Sequence, residues 1–565
     1  MPEEQGERQP LLDKAKGSWT CFYGRIDNRE TLFKLLGMDT DLVMSDAQLL
    51  REFFQQFGVD KLNEVIGPFV FLQFNPKTNH IIAARDGMGG RPLCFHISDK
   101  HIHIATYDLA VAMHPSVGYQ LNEERIARMV AGVPEMQPSS PLKNITPLKP
   151  GEYLSVEDQS HYTKSFYMCD PKRRIFLSND QAYAAEFKRL LDQAVKRRLR
   201  TLGSVGSMMS GGMDSVPVSI SAAQQLAKKN QRLTALSWVF DKYPECDERE
   251  YSSLVCEQFN IEQIGINCDD VWPSFDEQMH LNPIIPFSIP FSEYQQAALR
   301  NASQRGIGTV LTGIHGDLLY EATQSILSEL IKRGQWRRAW KEAYTLAKAS
   351  LSKKQFIKEY LISQLPIVKQ ALAWYRRRRK PIAPLLKDQV LAKLPLQNHY
   401  LSEYSKQALR PHQYQIVLGH QAGEDLNFGQ YMDAKFGLER RHPFRDRDLV
   451  EFMLAIPSEQ LFFNLTNRPI VKRAFYSDLP LSLQKRNAKT DFSRVIQAGI
   501  LKDNKARYWF KQKTATWQHY ICSSFVKQCY FDQSRLHNIA LNLVAWRCAY
   551  YEYWKSVCYT EYDKL

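Results

Sequence analysis

The pattern of apolar and polar positions changes character near Leu177. Before it, "HIIAARD", "PLCFHIS" and "KHIHIAT" are short alternating or apolar runs, broken by "NPKTN", "DGMGGRP" and "SDK". Runs of that length between turn residues predict hairpins and a sheet-dominated region. "LKPGEYLSVEDQSHYTKSFY" adds a Pro-Gly turn and two more strands. After the change, "SNDQAYAAEFKRLLDQAVKRRLRTL" opens with capping residues and keeps a helical period, so a helix is expected there. Helices then alternate with "SVGSMM", "LTALSWVF", "IEQIGIN" and "GTVLTGI", the signature of a parallel sheet flanked by helices. From Glu321 onward the pattern is almost wholly helical. The expected class is α/β: an N-terminal domain with antiparallel sheets, then a parallel-sheet nucleotide-type domain with a helical extension. The divisions are a polar tail at 1–17, a first domain at 18–175 and a second at 176–565, with a basic helical insertion at 325–410.

Composition narrows the class. Ten cysteines show no CxxC spacing, which suits reduced thiols and a cytoplasmic location. The opening "MPEEQGERQPLLDKAKG" is polar and mixed in charge, so it is expected to be disordered and not a signal peptide. No apolar run is long enough to span a membrane; "YLISQLPIVKQALAWY" is interrupted by Pro and Lys. The net charge of +14 is concentrated between Ile331 and Pro381, in "IKRGQWRRAWKEAYTLAKASLSKKQFIKEY" and "WYRRRRKP". A solvated helical face or a surface for an acidic peptide both account for it. With no zinc-finger spacing and no aromatic RNP-type signature, nucleic acid is not expected as a partner.

The candidate chemistry sits in "GSMMSGGMDS", 206–215. Gly211 and Gly212 let the backbone turn tightly and turn successive N–H groups toward an anion. Ser210 and Ser215 add hydroxyl donors, and the helix expected from Val216 to about Lys228 points its positive end at the same place. Asp214 would repel a bare phosphate but suits one bridged by Mg²⁺. The loop therefore reads as a pyrophosphate cradle with its own metal ligand. "GTVLTGIHGDLLY" places Asp317 in a second turn after an apolar run, and ligands of open α/β sheets gather at such strand ends. Asp214 and Asp317 are thus a candidate pair for one Mg²⁺ on a triphosphate. Neither GxxxxGK[ST] nor GxGxxG occurs, which argues against Walker-type and dinucleotide sites.

"SGGMDS" with "TGIHGD", "GLERRHPFRDRDLVEFMLAIP" (437–457) and "RNAKTDF" (486–492) resemble the asparagine synthetase superfamily. Upstream, "GRIDNRETL", "GPFVFLQFN" and "AARDGMGGRPL" resemble its class II glutamine amidotransferase half. The resemblance implies a glutaminase-like fold followed by an ATP-pyrophosphatase fold. It implies a reaction in which ATP adenylates a carboxylate, pyrophosphate leaves and an amine attacks. It further implies that Ser210–Ser215 hold pyrophosphate and that Asp214 and Asp317 bind Mg²⁺. Lys489 would neutralise transition-state charge, and Met209, Val239, Thr312 and Gly313 would line the adenosine side. Glu439, Arg441 and Asp446 read either as catalytic or as a buried ion-pair network shaping the pocket.

Three departures from the family pattern redirect the functional expectation. Pro2 stands where the family's glutaminase has its nucleophilic cysteine, and Cys21 lies inside the chain, so the N-terminal domain is expected to be a catalytically inactive scaffold. Ile314 stands where beta-lactam synthetases place a tyrosine and has neither acid nor base; His315 beside it is a candidate base or a structural residue. Finally, "NLVAWRCAYYEYWKSV" (542–557) and "AKTDFSRVIQAGI" resemble the lasso peptide cyclases. That branch joins an Asp or Glu side chain of a precursor peptide to the peptide's own N-terminal amine. The partners it implies are the precursor peptide, a leader-binding protein and a leader peptidase. The competing expectations are an amide ligase using a small metabolite with ammonia or an amine, and a non-catalytic scaffold. A tRNA-modifying ATP pyrophosphatase would leave the amidotransferase-like half unexplained.

Overall fold

In strand β2 (Trp19–Gly24), Thr20 and Phe22 turn inward while Trp19, Cys21 and Tyr23 face out, the two-residue period of a half-buried strand. This computed structural model describes residues 1–14, 16–132, 138–158, 160–272, 291–320, 322, 325–349, 386–387, 390, 402, 404–419, 429–486, 490–512, 514–522 and 539–559. Around β2 forms a six-stranded antiparallel sheet in the order β1-β2-β3-β4-β8-β9, with β1 at Leu11–Leu12, β3 at Phe69–Asn75, β4 at His80–Arg85, β8 at Glu152–Glu157 and β9 at Ser160–Ser165. Helices Arg29–Leu36 and Asp46–Phe57 cover one face, packing Phe33, Leu50 and Phe53 on Phe22, Phe69 and Phe71. Against the other face lies a three-stranded sheet, β6-β5-β7, with β5 at Cys94–Ile97, β6 at Ile102–Ala105 and β7 at Thr146–Pro147. The outer strand β9 is exposed at every position and polar, which blunts that sheet edge against further pairing.

The opening segment departs from the disordered tail expected of it. Leu11 and Leu12 pair with Thr20 and Trp19 as an edge strand, and Glu3 bridges Arg200 at 3.0 Å. The physical reason is local. Gln9 accepts the Phe22 N–H at 2.7 Å, and the two leucines complete the β2 edge, so the segment's polar residues have fixed partners.

The second half is a five-stranded parallel sheet, β12-β11-β10-β13-β14, with β10 at Ser204–Met208, β11 at Thr234–Val239, β12 at Glu262–Asn267, β13 at Ile307–Thr312 and β14 at Glu439–Arg441. Helix Asp180–Arg198, capped by Asn179 through the Ala182 N–H, precedes it, and helices Ser215–Ala227 and Arg249–Gln258 cross between its strands. Chain order runs outward from β10 through β11 to β12, then returns to the other side of β10 with β13. The sheet therefore reverses its winding between β10 and β13, which creates a crevice at their carboxyl ends. Of the basic insertion, helices Ile326–Lys332 and Trp336–Ala349 are described; most of 351–401 lies outside the described residues.

The tail motif "NLVAWRCAYYEYWKSV" forms most of helix Ile539–Trp554 and continues as one turn at Lys555–Tyr559. Trp546, Tyr550, Tyr551 and Trp554 are fully buried and cluster with Phe510, Trp517 and, from the first half, Ile126 and Val130. Its aromatic residues serve packing that ties the two halves together.

A second tie is ionic. Asp46, fully buried in the first half, accepts the Ile26 N–H at 2.8 Å and pairs with Arg29 and with Arg200 of the second half. Glu439 pairs with Arg441 at 2.8 Å and with Arg91 of the first half, while Asp446 takes Arg197 and Arg198, each at 3.0 Å. Burial pushes the Glu439 carboxyl up, but Arg441, Arg91 and Arg25 outweigh it and hold it well below the usual range. Removing one partner from such a network strands its mates in a medium that solvates them poorly. Asp46→Ala is expected to lower the unfolding free energy by about 3–5 kcal/mol, read from the denaturant midpoint at constant slope. A change below about 1 kcal/mol would show that the network is solvated.

Candidate active site

Strands β10 and β13 are in register, with Met208 opposite Thr312, so the two candidate loops leave neighbouring strand ends together. Met209, buried, donates its N–H to the Leu236 carbonyl at 3.1 Å and carries the β-pattern one residue further. The loop then closes on itself. Ser215 Oγ accepts the Ser210 N–H at 3.1 Å and lies 3.2 Å from Ser210 Oγ, which accepts the Gly212 N–H at 3.1 Å. These contacts hold the loop in shape, which lowers the cost of ordering it around a ligand.

Glycine is required at three places here because other segments of the chain pass too close. A Cβ on Gly211 would stand 2.5 Å from Tyr251 Cβ. One on Gly313 would stand 2.6 Å from the Ser215 nitrogen, and one on Gly316 would stand 2.7 Å from Asp214 Oδ1. The second loop therefore lies directly on the first, and the Asp214 carboxylate rests against the residue preceding Asp317. Asp214 occupies the N-cap of helix Ser215–Ala227 without making a side-chain cap. It meets Arg468 Nη1 at 2.8 Å instead. Arg468 has a left-handed backbone (φ 57°), heads helix Pro469–Ala474 and lies over the Tyr320 ring. Asp317 is exposed, with one carboxylate oxygen accepting the Leu318 N–H at 3.0 Å. Among the described residues no three His, Cys, Asp or Glu side chains are grouped to hold a metal ion.

Thr312 and Gly313 turn the corner of the second loop. Thr312 Oγ1 lies 2.7 Å from His442 Nδ1 and accepts the Ile314 N–H at 3.3 Å. Ile314 is exposed, whereas His315 is buried with φ 72° and its ring set edge-on to His442 at 5.9 Å. Burial, and then Arg445, push the His315 imidazole down to about 3; burial likewise pushes His442 well below its ordinary value. Of the two readings of His315, the structural one fits: a group with so low a value is a feeble proton acceptor at neutral pH. Val239 ends β11 and accepts the Cys268 N–H at 3.0 Å, one strand away from the two loops.

Lys489 lies outside the described residues. Its neighbours in the "RNAKTDF" motif are anchored at the first loop. Arg486 donates to the Gly211 carbonyl at 2.8 Å and to Glu248 Oε1 at 2.6 Å, and Thr490 donates to the same Glu248 oxygen at 2.7 Å. Glu248, Tyr251 and Arg468 were not legible as site residues, because single charged or aromatic positions carry no spacing signal. Arg486 had one, as the first residue of that motif. Beyond the ends of β11 and β12 lies a cavity of about 360 Å³ lined by Tyr243, Trp272, Tyr294, Val495, Lys502 and Asp503 among others.

Among the described residues the first half carries no comparable constellation. Asp86 accepts N–H groups from Phe69, Met88, Gly90 and Arg91 at 2.9–3.2 Å, so its carboxylate holds its own turn. The adjoining cavity, lined by Arg25, Asp86, Arg91, Glu439 and Arg441 among others, measures about 50 Å³ and has no cysteine in its wall. That is room for a few waters. Cys21 faces outward from β2, and partial burial raises its thiol.

The sequence profile described as Asparagine synthase matches residues 186–555, and that described as Glutamine amidotransferase domain matches residues 2–167. The chain belongs to the asparagine synthase family. It is 24% identical over 233 residues to Asparagine synthetase (glutamine-hydrolyzing) 3 of Bacillus subtilis, covering 40% of this chain and 38% of that protein. A putative asparagine synthetase 2 of Methanocaldococcus jannaschii is 21% identical over 304 residues, 53% of this chain and 58% of its own length. The mouse asparagine synthetase is 24% identical, over 37% of this chain and 36% of the mouse protein. The matched region thus spans less than two thirds of these relatives. A solved glutamine phosphoribosylpyrophosphate amidotransferase from B. subtilis covers 56% of this chain and 75% of that one, but at 14% identity and a TM-score of 0.22 it bears on neither fold nor function. None of the described helices is long and apolar enough to cross a membrane.

Two outcomes follow from this geometry. Gly316→Ala forces Asp214 or the second loop to move, and a displacement of about 1 Å at a reacting centre costs roughly a hundredfold in rate. ATP-dependent turnover should fall by that order while the thermal midpoint stays within a few degrees; unchanged turnover would separate Asp214 from the chemistry. The second outcome concerns His315, whose imidazole sits near 3 when folded and near 6.5 when unfolded. Below 6.5 the unfolded chain gains a proton that the folded chain refuses, so the contribution is intact above 6.5 and lost as pH falls toward about 3. His315→Gln should therefore flatten the acid limb of unfolding free energy against pH by about 1.4 kcal/mol per unit.

Proposed function

We propose that this chain is an ATP-dependent macrolactam-forming ligase of the lasso peptide cyclase type. It would adenylate an Asp or Glu side chain of a precursor peptide and close the ring onto the peptide's N-terminal amine. The observation that carries the reading is the meeting of two loops at the point where the parallel sheet reverses, with the Asp214 carboxylate against Gly316. A preshaped serine-glycine loop at a helix N-terminus suits pyrophosphate. Carboxylate oxygens suit Mg²⁺, and Arg468 already supplies a positive charge at Asp214. Magnesium supplies charge neutralisation on the triphosphate when bound, and Asp214 and Asp317 are the side chains that would hold it.

In the first step a carboxylate oxygen attacks the α-phosphorus and pyrophosphate leaves toward Ser210–Ser215. In the second, the amine lone pair attacks the acyl carbon, the bond to AMP breaks, and the proton lost by the nitrogen passes to the departing AMP phosphate or to water. His315 and His442 are held too low to accept that proton efficiently; separately, the amine must enter as its free base, and an α-amine near 8 leaves enough of it. Lys489 is assigned charge neutralisation in the transition state by its place in the motif.

The choice of amine source rests on the first half. No described cysteine faces the cavity at Asp86, and that cavity is too small for glutamine, which favours an amine brought by the substrate over ammonia released within the chain. Ile314 brings no hydroxyl for the beta-lactam route. A leader-binding protein and a leader peptidase belong to this proposal as partners, and the basic helical insertion suits an acidic peptide. The second reading is an amide ligase for a small metabolite with ammonia or an amine; it is favoured by the relatives named asparagine synthetases.

Processed precursor peptide incubated with the full chain, ATP and Mg²⁺ should yield a product lighter by one water, with AMP and pyrophosphate released. The product should vanish in Asp214→Ala and in Lys489→Ala. AMP release that needs ammonia or a small amine, with no peptide mass change, would overturn the macrolactam reading in favour of the second.

A further inference from the structure

Four of the chain's 14 histidines gather at one edge of the three-stranded sheet, away from both loops of the candidate active site. His96 on β5 and His103 on β6 are register partners and therefore share a face. His101, two residues before His103, falls on the same face by the strand period. His114 comes from the loop after helix Asp108–Ala112. Ring centroids of His103 and His114 are 4.0 Å apart, and His101 lies 5.8 Å from each. His103 Nε2, at 3.1 Å, and His114 Nδ1, at 2.9 Å, both address the single hydroxyl of Ser116. His96 is held differently, with Nδ1 on the Asn144 carbonyl at 2.7 Å.

We propose that His101, His103 and His114 bind one borderline transition-metal dication, of which Zn²⁺ is the representative. Imidazole nitrogens bind zinc at about 2.0–2.1 Å in tetrahedral geometry, which holds the ring centroids of two ligands roughly 5 Å apart. The observed 4.0 and 5.8 Å separations bracket that value. As they stand, no three of these rings close on a common point. His101 and His114 are exposed and His103 is partly so, and the terminal torsion of a histidine is soft. Turning the rings lets an ion replace Ser116 Oγ as the shared partner of His103 and His114, with His101 third and water fourth. Imidazole selects zinc, nickel or copper over magnesium, so this site is chemically distinct from the oxygen pair Asp214 and Asp317. An ion here would clip β6 to the loop that follows Asp108–Ala112.

The test uses the untagged full chain with Mg²⁺ present throughout. Zn²⁺ is titrated calorimetrically, and Co²⁺ is followed by the visible absorption of tetrahedral nitrogen ligation. The chain should take up one ion more than the His103→Ala/His114→Ala double variant, and its thermal midpoint should rise with that ion. Each of His101→Ala, His103→Ala and His114→Ala should weaken binding by about tenfold or more. His96→Ala should leave it unchanged. Because these side chains lie at the surface, the metal-free variants should keep the far-UV circular dichroism of the parent chain. Equal uptake by parent and double variant, parental affinity in any of the three single variants, or no uptake at about 100 µM Zn²⁺, overturns the site.

Discussion

The in-register pairing of β10 with β13 is the constraint on which the rest of the site depends. About a hundred residues separate the two strands in the chain, yet Met208 faces Thr312 across the ladder. That register delivers the serine-glycine loop and the Gly313–Asp317 turn to the same sheet edge. It also explains why Gly313 and Gly316 must lack side chains, since each passes within contact distance of Asp214 or Ser215. The motif that looks like a ligand loop is equally a packing solution between two adjoining turns, and the two roles use the same residues.

The amidotransferase-like half contributes through its interface more than through any constellation of its own. Its buried charges are shared with the second half: Asp46 with Arg200, and Arg91 with Glu439. Asp86 is spent on four backbone N–H groups of its own turn. Helix Ile539–Trp554 adds aromatic packing against Ile126 and Val130 of the first half. Such an interface keeps the synthetase sheet in one arrangement, and catalysis by positioning depends on that more than on any single proton-transfer group.

The neutral histidines under the second loop agree with this picture. His315 and His442 lie edge to face beneath Thr312, where burial keeps them uncharged. They shape the floor of the turn that carries Asp317.

Much of the chain was legible in its residues alone. Two-residue alternation marked the strands of the first half, and the helical period with Asn179 as cap marked helix Asp180–Arg198. The four apolar runs became four of the five strands of the parallel sheet, because these signals are local and each element's buried face is written into its own period; the fifth, β14, is a three-residue charged strand in a stretch that reads as helical. Ser210–Ser215 and Thr312–Asp317 were likewise visible as loops following strands. Local patterns did not reveal that residues 1–12 are ordered, since Leu11 and Leu12 form a strand only because β2 offers an open edge. Nor did they single out Glu248 or Arg468, whose roles exist only once segments more than 200 residues apart meet at Gly211 and Asp214. The ion pairs of Glu439 with Arg91 and Arg441, and of Asp446 with Arg197 and Arg198, likewise appear only in the folded chain. The sequence by itself determined the longer elements, their order and the two loops, but not the short strands β1 and β14. Tertiary structure decided which loops touch and which charges are buried together, because these depend on strand order and register, long-range pairings that no local period encodes.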